Sequence, residues 1–558
     1  MIKEYPWFNK YPEGVNFEIG PSNYSSLKDL FEEGTRKFGE LPAYENFKKV
    51  YSFKEIDHLS LKFADFLQNE LKLEKGDRIA IQMPNLLQYP IVLIGSLRAG
   101  LIVVNTNPLY TPREMEHQFI DSGVKAIVIL ANFASALEKI HHNTSIEHII
   151  VTEIGDLLGT FKGGIVNWVV KNVKKMVPPY SLPGHLKMKD VLKIGNAENF
   201  DKVDINGEDI AFLQYTGGTT GIAKGAMLSH RNVIANMEQI CEWMKPKLKE
   251  KEETIITALP LYHIFALTVN CLAFYNIGAK NVLITNPRDM PAFIKEMKRH
   301  PFTVFTGVNT LFNGLLNQKT FSEIDFSYLK VTVGGGMAVQ DVVAERWKKT
   351  TGNALVEGYG LTETSPVVSC NPIDDTEQIG TIGLPLPGTE VKIMDDEGKE
   401  VPIGKNGEIW VKGPQVMSGY WENESETDLV FQNGWFKTGD IGFLHDDGFV
   451  QIVDRKKEMI NVSGFNVYPN EIEGIVMQHP KVLEVGAVGV PDNRSNEVVK
   501  IFVVKKDPSL TEAELKDFCK ENLTAYKRPK QIEFRETLPK SNIGKILRRL
   551  LNEEKEIA

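Results

Sequence analysis

Ile210-Ala211-Phe212-Leu213-Gln214 runs straight into Tyr215-Thr216-Gly217-Gly218-Thr219-Thr220-Gly221-Ile222-Ala223-Lys224-Gly225. The first five residues read as a buried strand, because an apolar run of this length suits a strand covered on both faces. The residues after it read as a loop for polyphosphate. The glycines let the backbone approach a ligand closely and turn successive N–H groups inward. The hydroxyls of Thr216, Thr219 and Thr220 add donors, and Lys224 adds a positive charge. A flexible turn would explain the glycines but not the threonines and the lysine together. The order G-x-x-x-x-G-K-[ST] is absent, so this is not a Walker A loop.

Outward from this junction, short apolar runs alternate with stretches long enough for crossover helices. The runs Arg78–Met83, Leu101–Asn107, Ala126–Leu130, His148–Thr152, Thr254–Leu259, Asn281–Thr285, Thr303–Gly307 and Lys330–Val333 predict an α/β fold with mostly parallel sheets flanked by helices. From about residue 380 the texture changes. Glu390–Met394, Gly407–Lys412 and Gly448–Val453, separated by Gly, Pro and Asp turns, predict a β-rich, barrel-like subdomain over about 380–453. Beyond Asp454, the segments Glu471–His479, Val482–Val490, Val499–Val504, Thr511–Asn522 and Gln531–Phe534 predict a small α+β unit. The expected division is a large domain, 1–453, and a small mobile one, 454–558.

With 558 residues the chain exceeds the roughly 250–300 that one core supports. The net charge of −9 excludes a general nucleic-acid binder. Within that acidic chain, residues 520–550 carry nine Lys/Arg against three Glu, a patch that could meet phosphates. Cys241, Cys271, Cys370 and Cys519 are scattered without a CxxC pair, which reads as reduced thiols of a cytoplasmic protein. The N-terminus lacks a signal-peptide core, and the longest apolar stretch, Tyr89–Val104, is interrupted by Arg98 and too short to span a bilayer. Phe161–Tyr180 stands apart: it combines Trp168 and aliphatic residues with Lys162, Lys171, Lys174 and Lys175 and has no acid. It reads either as peripheral contact with an anionic membrane or as a partly buried helix with a solvated lysine edge.

Further motifs follow in order: Gly334-Gly335-Gly336, Glu357-Gly358-Tyr359-Gly360-Leu361-Thr362-Glu363, Gly434-Trp435-Phe436-Lys437-Thr438-Gly439-Asp440, Asp454-Arg455-Lys456-Lys457 and Pro539-Lys540-Ser541-Asn542-Ile543-Gly544-Lys545. An aromatic face such as Tyr359 can stack on a purine, and a carboxylate such as Glu363 suits hard Mg²⁺. Taken with Tyr215–Lys224, these motifs resemble those of the adenylate-forming superfamily of acyl-CoA synthetases, luciferases and nonribosomal adenylation domains. Asn433–Glu473, which includes Val462-Ser463-Gly464-Phe465-Asn466-Val467-Tyr468-Pro469-Asn470-Glu471, is most similar to bacterial long-chain fatty-acid–CoA ligases.

The resemblance implies a site. Tyr215, Thr216, Gly217, Gly218, Thr219, Thr220, Gly221 and Lys224 would cradle the phosphates of ATP. Gly334, Gly335, Gly336, Glu357, Gly358, Tyr359 and Gly360 would wall the adenine. Thr362 would contact the α-phosphate, and Glu363, with Thr219, would hold Mg²⁺. Asp440 would accept both ribose hydroxyls, with Arg455 near the nucleotide and Asp454 as the hinge of the small domain. Lys545 would be the main catalytic side chain. His263, in Pro260–Phe265, would orient the carboxylate or gate the thiol, although a histidine in an apolar run is more often a satisfied core residue. Gly464 would lie near the pantetheine of coenzyme A. The helical segment after His230 would wall the acyl tunnel.

The implied reaction has two steps: a fatty acid and ATP give acyl-AMP and pyrophosphate, and coenzyme A then displaces AMP. The family includes monomers and homodimers, and the residues do not choose between them. Alternatives are a CoA or acyl-carrier-protein ligase for an aryl, medium-chain or short-chain acid, and a non-catalytic lipid or nucleotide sensor. The joint presence of Lys224, Glu363, Asp440 and Lys545 argues against the sensor.

Overall fold

The computed structural model describes residues 5–216, 223–463, 465–492, 495–541 and 544–553. Four sheets organise them. The first has seven strands in the order Leu186–Lys187, His148–Thr152, Ala126–Leu130, Arg78–Gln82, Ile102–Asn105, Ile210–Thr216 and Lys224–Ser229. All neighbours are parallel except the last pair. Ala126–Leu130 is buried at all five positions, as an uninterrupted apolar run demands.

The second sheet has nine strands, with Thr254–Thr257, Lys280–Leu283, Val304–Gly307, Val331–Gly334 and Leu355–Gly360 forming its parallel centre. Antiparallel strands finish it at both edges. One continuous buried cluster joins the two sheets through Phe53–Asp65, Gln88–Arg98 and His230–Met244. All eleven residues of Gln88–Arg98 are buried, including a charge. Arg98 is tolerated there because it pairs with Asp57 and donates to Ser60 Oγ at 2.9 Å; unpaired, it would cost several kcal/mol.

The third sheet is antiparallel and contains Glu390–Met394, Gly407–Lys412, Phe431–Gln432, Trp435–Leu444 and Val450–Arg455. The last strand runs through Asp454 and Arg455, two residues past the apolar run, because Arg455 sits opposite Asp440 in the ladder. The fourth sheet, Phe465–Val467, Ile460–Val462, Asn496–Lys505, Val482–Asp492 and Gln531–Arg535, packs on Pro469–Met477 and Glu512–Asn522 over its own core of Val467, Ile472, Ile501 and Leu515. The architecture is therefore α/β, with large, mostly parallel sheets, a β-rich antiparallel sheet and a smaller α+β unit at the C-terminus.

Among the described residues no helix is long and apolar enough to cross a membrane. Cys241, Cys271, Cys370 and Cys519 are free thiols.

Candidate active site

The strand Ile210–Thr216 and the strand Lys224–Ser229 form a hairpin in which Thr216 faces Lys224 and Tyr215 faces Gly225. The ends of the phosphate-type loop are thus pinned across a ladder. Gly217, Gly218, Thr219, Thr220 and Gly221 lie outside the described residues. The Tyr215 hydroxyl donates to Asp121, which fixes a buried ring beneath the hairpin. Lys224 pairs with Glu426, and its ammonium lies 5.2 Å from the centre of the Tyr420 ring. Tyr420 Oη in turn donates to Glu363 Oε1 at 2.8 Å. A single web therefore joins the hairpin lysine to the carboxylate singled out for Mg²⁺. That carboxylate, an oxygen donor with one oxygen held by a phenol, is of the kind that a hard cation prefers.

Glu363 stands on the 3₁₀ turn Thr362–Thr364, directly after the strand Leu355–Gly360. Two glycines make the approach to this turn physically feasible. A Cβ at Gly360 would lie 1.9 Å from the Pro366 carbonyl oxygen, and one at Gly335 would meet the Phe265 ring at 3.0 Å and the Gly358 carbonyl at 3.1 Å. The Gly334–Gly336 turn thus lies flat against the Glu357–Gly360 strand, with Gly335 N donating to Gly307 O at 3.1 Å. Burial pushes the Glu357 carboxyl up to about 8, even though Val339 N donates to it at 3.2 Å.

The tightest part of the site is a triad. Tyr359 Oη donates to Asp440 Oδ2 at 2.6 Å, and Arg455 Nε sits 3.0 Å from Asp440 Oδ1. Asp440 is only 3% exposed, yet each carboxylate oxygen has a partner. Burial, followed by the Asp440 charge, holds the Tyr359 phenol well above its ordinary range. Asp440 also holds Arg455 more firmly protonated than usual. The triad joins the second sheet to the third.

Lys545 reaches this neighbourhood from the C-terminal end. The turn that carries it is closed by Ser541 N donating to Lys545 O at 2.7 Å and by Lys545 N donating to Ser541 Oγ at 3.1 Å. Gly544 brings the turn against the large body, where a Cβ would fall 2.3 Å from Thr310 Oγ1. Burial and then the charge of Arg455 lower the pKa of the Lys545 ammonium, with Arg548 adding to that and Glu458 and Asp440 opposing it. Lys545, Arg455 and Asp440 therefore share one electrostatic environment.

His263 is partly buried, its Nδ1 accepts from Phe265 N at 3.3 Å, and burial lowers its pKa to about 4. It is a neutral imidazole at physiological pH, suited to hydrogen bonding and not to charge neutralisation. Gly464 lies outside the described residues. Sequence reasoning missed Asp121, Tyr420 and Glu426. Each partners a motif residue from 57 to 202 positions away, and no local pattern marks such a pairing.

The AMP-binding enzyme profile matches residues 31–421, and that of the AMP-binding enzyme C-terminal domain matches 471–545. The chain is 58% identical over 98% of both sequences to the long-chain-fatty-acid–CoA ligase of Escherichia coli O6:H1. It is 37% identical, over 99% of both, to the long-chain-fatty-acid–CoA ligase of Bacillus subtilis. Among solved structures it superposes on the anthranilate CoA ligase AuaEII in complex with anthranoyl-AMP with a TM-score of 0.86 at 26% identity, covering 96% of this chain and 98% of that one. It superposes on ATP-bound MatB from Rhodopseudomonas palustris with a TM-score of 0.83 at 27% identity, covering 95% and 99%.

Proposed function

The chain belongs to the AMP-binding enzyme family, and we propose how its residues divide the work of an AMP-forming long-chain fatty-acid–CoA ligase. The enzyme joins a fatty acid to coenzyme A at the expense of ATP. In the first half-reaction a fatty-acid carboxylate oxygen attacks the α-phosphorus, an O–P bond forms, and the bond to pyrophosphate breaks. In the second, the thiol gives up its proton, its sulfur bonds to the acyl carbon of the adenylate, and the acyl C–O bond breaks to release AMP.

The Thr216–Lys224 hairpin loop binds the β- and γ-phosphates. Gly334–Gly336 and Glu357–Gly360 wall the base, with the Tyr359 ring against it. Asp440 accepts the ribose hydroxyls, and Arg455 lies beside the nucleotide. Thr362 contacts the α-phosphate, and a magnesium ion held by Glu363 with Thr219 would neutralise phosphate charge when bound. Lys545 stabilises the attacking carboxylate and the charge growing on the α-phosphate, where a cation in a water-poor site acts strongly. His263 orients the acyl carboxylate. The small unit then turns about Asp454, withdrawing Lys545 and bringing Gly464 towards the thiol, so that water is excluded in both steps.

One observation carries this reading: the Gly544–Lys545 turn abuts Thr310 of the large body while Lys545 shares the environment of Asp440 and Arg455. The test is pyrophosphate release from ATP with palmitate, benzoate or acetate, with and without coenzyme A. Palmitate should release pyrophosphate fastest, and coenzyme A should sustain turnover. Release with benzoate alone would overturn the fatty-acid assignment.

A second reading concerns where the enzyme works. We infer a cytoplasmic enzyme, in keeping with its free thiols, whose segment Phe161–Tyr180 touches the anionic inner face of a membrane. Its helix docks through Gly163, where a Cβ would meet the Gly155 carbonyl oxygen at 2.1 Å, and through Asn167, which accepts from Gly155 N at 2.6 Å. The other side exposes Phe161 at 83%, Ile165 at 49% and Trp168 at 61%, followed by Val173 and Met176. Exposed Lys171, Lys174 and Lys175 flank that stripe. An aromatic-aliphatic stripe edged by lysines suits an anionic interface. With about 1 kcal/mol per basic residue near such a surface, reversing Lys171, Lys174 and Lys175 to Glu should abolish co-sedimentation with phosphatidylglycerol vesicles. Unchanged partitioning would leave the stripe as ordinary surface.

A further inference from the structure

Arg548 lies three residues beyond Lys545, at the start of the terminal helix Arg548–Glu553. Its guanidinium is the hub of an acidic cluster drawn from three places in the chain. It grips Glu473 with two bonds, Nε to Oε1 at 2.9 Å and Nη2 to Oε2 at 2.7 Å. Nη1 lies 3.2 Å from Asp454 Oδ1 and also pairs with Glu458. Nη2 donates to Asn470 Oδ1 as well. The carboxylates it faces are poorly solvated, with side chains 0% (Asp454), 19% (Glu458) and 14% (Glu473) exposed. Backbone donors complete the cluster: Arg455 N and Asn470 N each donate to Asp454 at 2.8 Å, and Ala487 N donates to Glu473 at 2.8 Å.

One cation among such acids is more than a surface clasp. Stripped of Arg548, these poorly solvated acids would recruit the next cation available. That cation is Lys545: Glu458 feels its charge as well as those of Arg548 and Arg455. Among the described residues the Lys545 ammonium makes no hydrogen bond or ion pair of its own, so only the more diffuse pull of charges such as Asp440 would compete with Glu458 for it. Arg548 also ties Asp454, at the end of the third sheet, to Glu473 on Pro469–Met477. It thereby fixes the position of the Lys545 turn relative to the body it abuts.

We propose that Arg548 is a positioning residue for the adenylation half-reaction: by occupying Asp454, Glu458 and Glu473 it keeps Glu458 from capturing Lys545 and registers the Lys545 turn against Thr310. The proposal rests on the role given above to Lys545. It assigns Arg548 no contact with either substrate. A lysine could not replace it fully, because an ammonium lacks the planar fork that serves several carboxylates at once.

The test separates the half-reactions in the full-length enzyme. Pyrophosphate release from ATP and palmitate without coenzyme A reads the first. Palmitoyl-CoA formed from supplied palmitoyl-AMP and coenzyme A reads the second. Arg548→Met should slow the first roughly 100-fold, the scale of a small misplacement of a reacting group, and leave the second within a few fold. Adding Glu458→Gln to Arg548→Met should restore most of the first, since the competing charge is gone. Arg548→Lys, which keeps a cation and protects folding, should show the same selectivity in weaker form. Equal loss of both half-reactions in Arg548→Lys, or no recovery in the double variant, would overturn the proposal and leave Arg548 a structural clasp. Lys545→Ala tells this failure from a deeper one. If Lys545→Ala spares pyrophosphate release, the reading of Lys545 falls. If it abolishes release while Arg548→Met releases pyrophosphate at the wild-type rate, only the role of Arg548 falls.

Discussion

Asp440 stands in the ten-residue strand Trp435–Leu444, hydrogen-bonded in a ladder and clasped by Tyr359 and Arg455. Lys545 stands on a short turn whose backbone is closed on itself and whose ammonium has no direct partner among the described residues. The two share one electrostatic environment, but one is fixed before any substrate arrives and the other is held only by its turn and by the surrounding charges. A group that binds a ligand common to both half-reactions gains from being rigid. A group needed in one half-reaction only has to be able to leave, and every added bond would slow its departure. The contrast predicts that substitutions on the fixed side disturb both half-reactions, and those on the mobile side disturb one.

Lys545→Ala is the largest test of that contrast. Removing one donor or charge from a site of charge development typically costs about 10²–10³ in rate. That loss should appear in pyrophosphate release and be nearly absent when palmitoyl-AMP is supplied with coenzyme A. Comparable losses in both would make Lys545 as fixed a part of the site as Asp440.

Asp440→Ala should be smaller and even-handed. A hydrogen bond to a charged group contributes about 1.5–3 kcal/mol, so ATP affinity should fall roughly 10–100-fold. Use of supplied palmitoyl-AMP should weaken by a similar factor, because the ribose is present in both ligands. Calorimetric titration of the nucleotide and the apparent affinity for acyl-AMP measure the two. Unchanged nucleotide affinity would remove Asp440 from the site.

The same contrast marks what could be read from the chain in advance. Ala126–Leu130 and His148–Thr152 have the bounds that their apolar runs indicate, because strands buried on both faces announce themselves by hydropathy. Val450–Arg455 does not: its polar end belongs to the strand through ladder pairing with Asp440, which no hydropathy pattern records. Tyr359, Asp440 and Arg455 were each legible as motif residues, but their meeting across 81 positions was not. Tyr420, Glu426 and Arg548 lacked even a motif role, since their importance lies wholly in long-range partners. Phe161–Tyr180 showed its composition in sequence, but which of its side chains face water depends on the Gly155–Gly163 contact.

The mobile side should also be the one that titrates. Burial and the charge of Arg455 place the Lys545 pKa below the ordinary lysine value of about 10.4. On the role proposed for Lys545 the first half-reaction needs the ammonium, so pyrophosphate release should fall as pH rises through that lowered value, by about tenfold per unit beyond it. Thioester formation from supplied acyl-AMP should show no such fall. Lys545→Arg, if active, should move the limb out of range, because a guanidinium stays charged. A limb shared by both half-reactions would belong to some other group.

Tyr359→Phe probes the fixed side with the least disturbance. The ring proposed to face the base is kept, and only the 2.6 Å hydrogen bond to Asp440 is lost. Arg455 still neutralises the carboxylate, and the freed oxygen can turn wholly to the ribose. The net cost is that of one buried hydrogen bond, about 1 kcal/mol, or roughly fivefold in ATP affinity. It should be shared by acyl-AMP, as for Asp440→Ala, and leave the rate of the chemical step at saturating ATP unchanged. If the loss instead appeared in that rate and spared affinity, the phenol would be acting on the reacting phosphate, and the division between a rigid binding side and a mobile catalytic side would have to be redrawn at Tyr359.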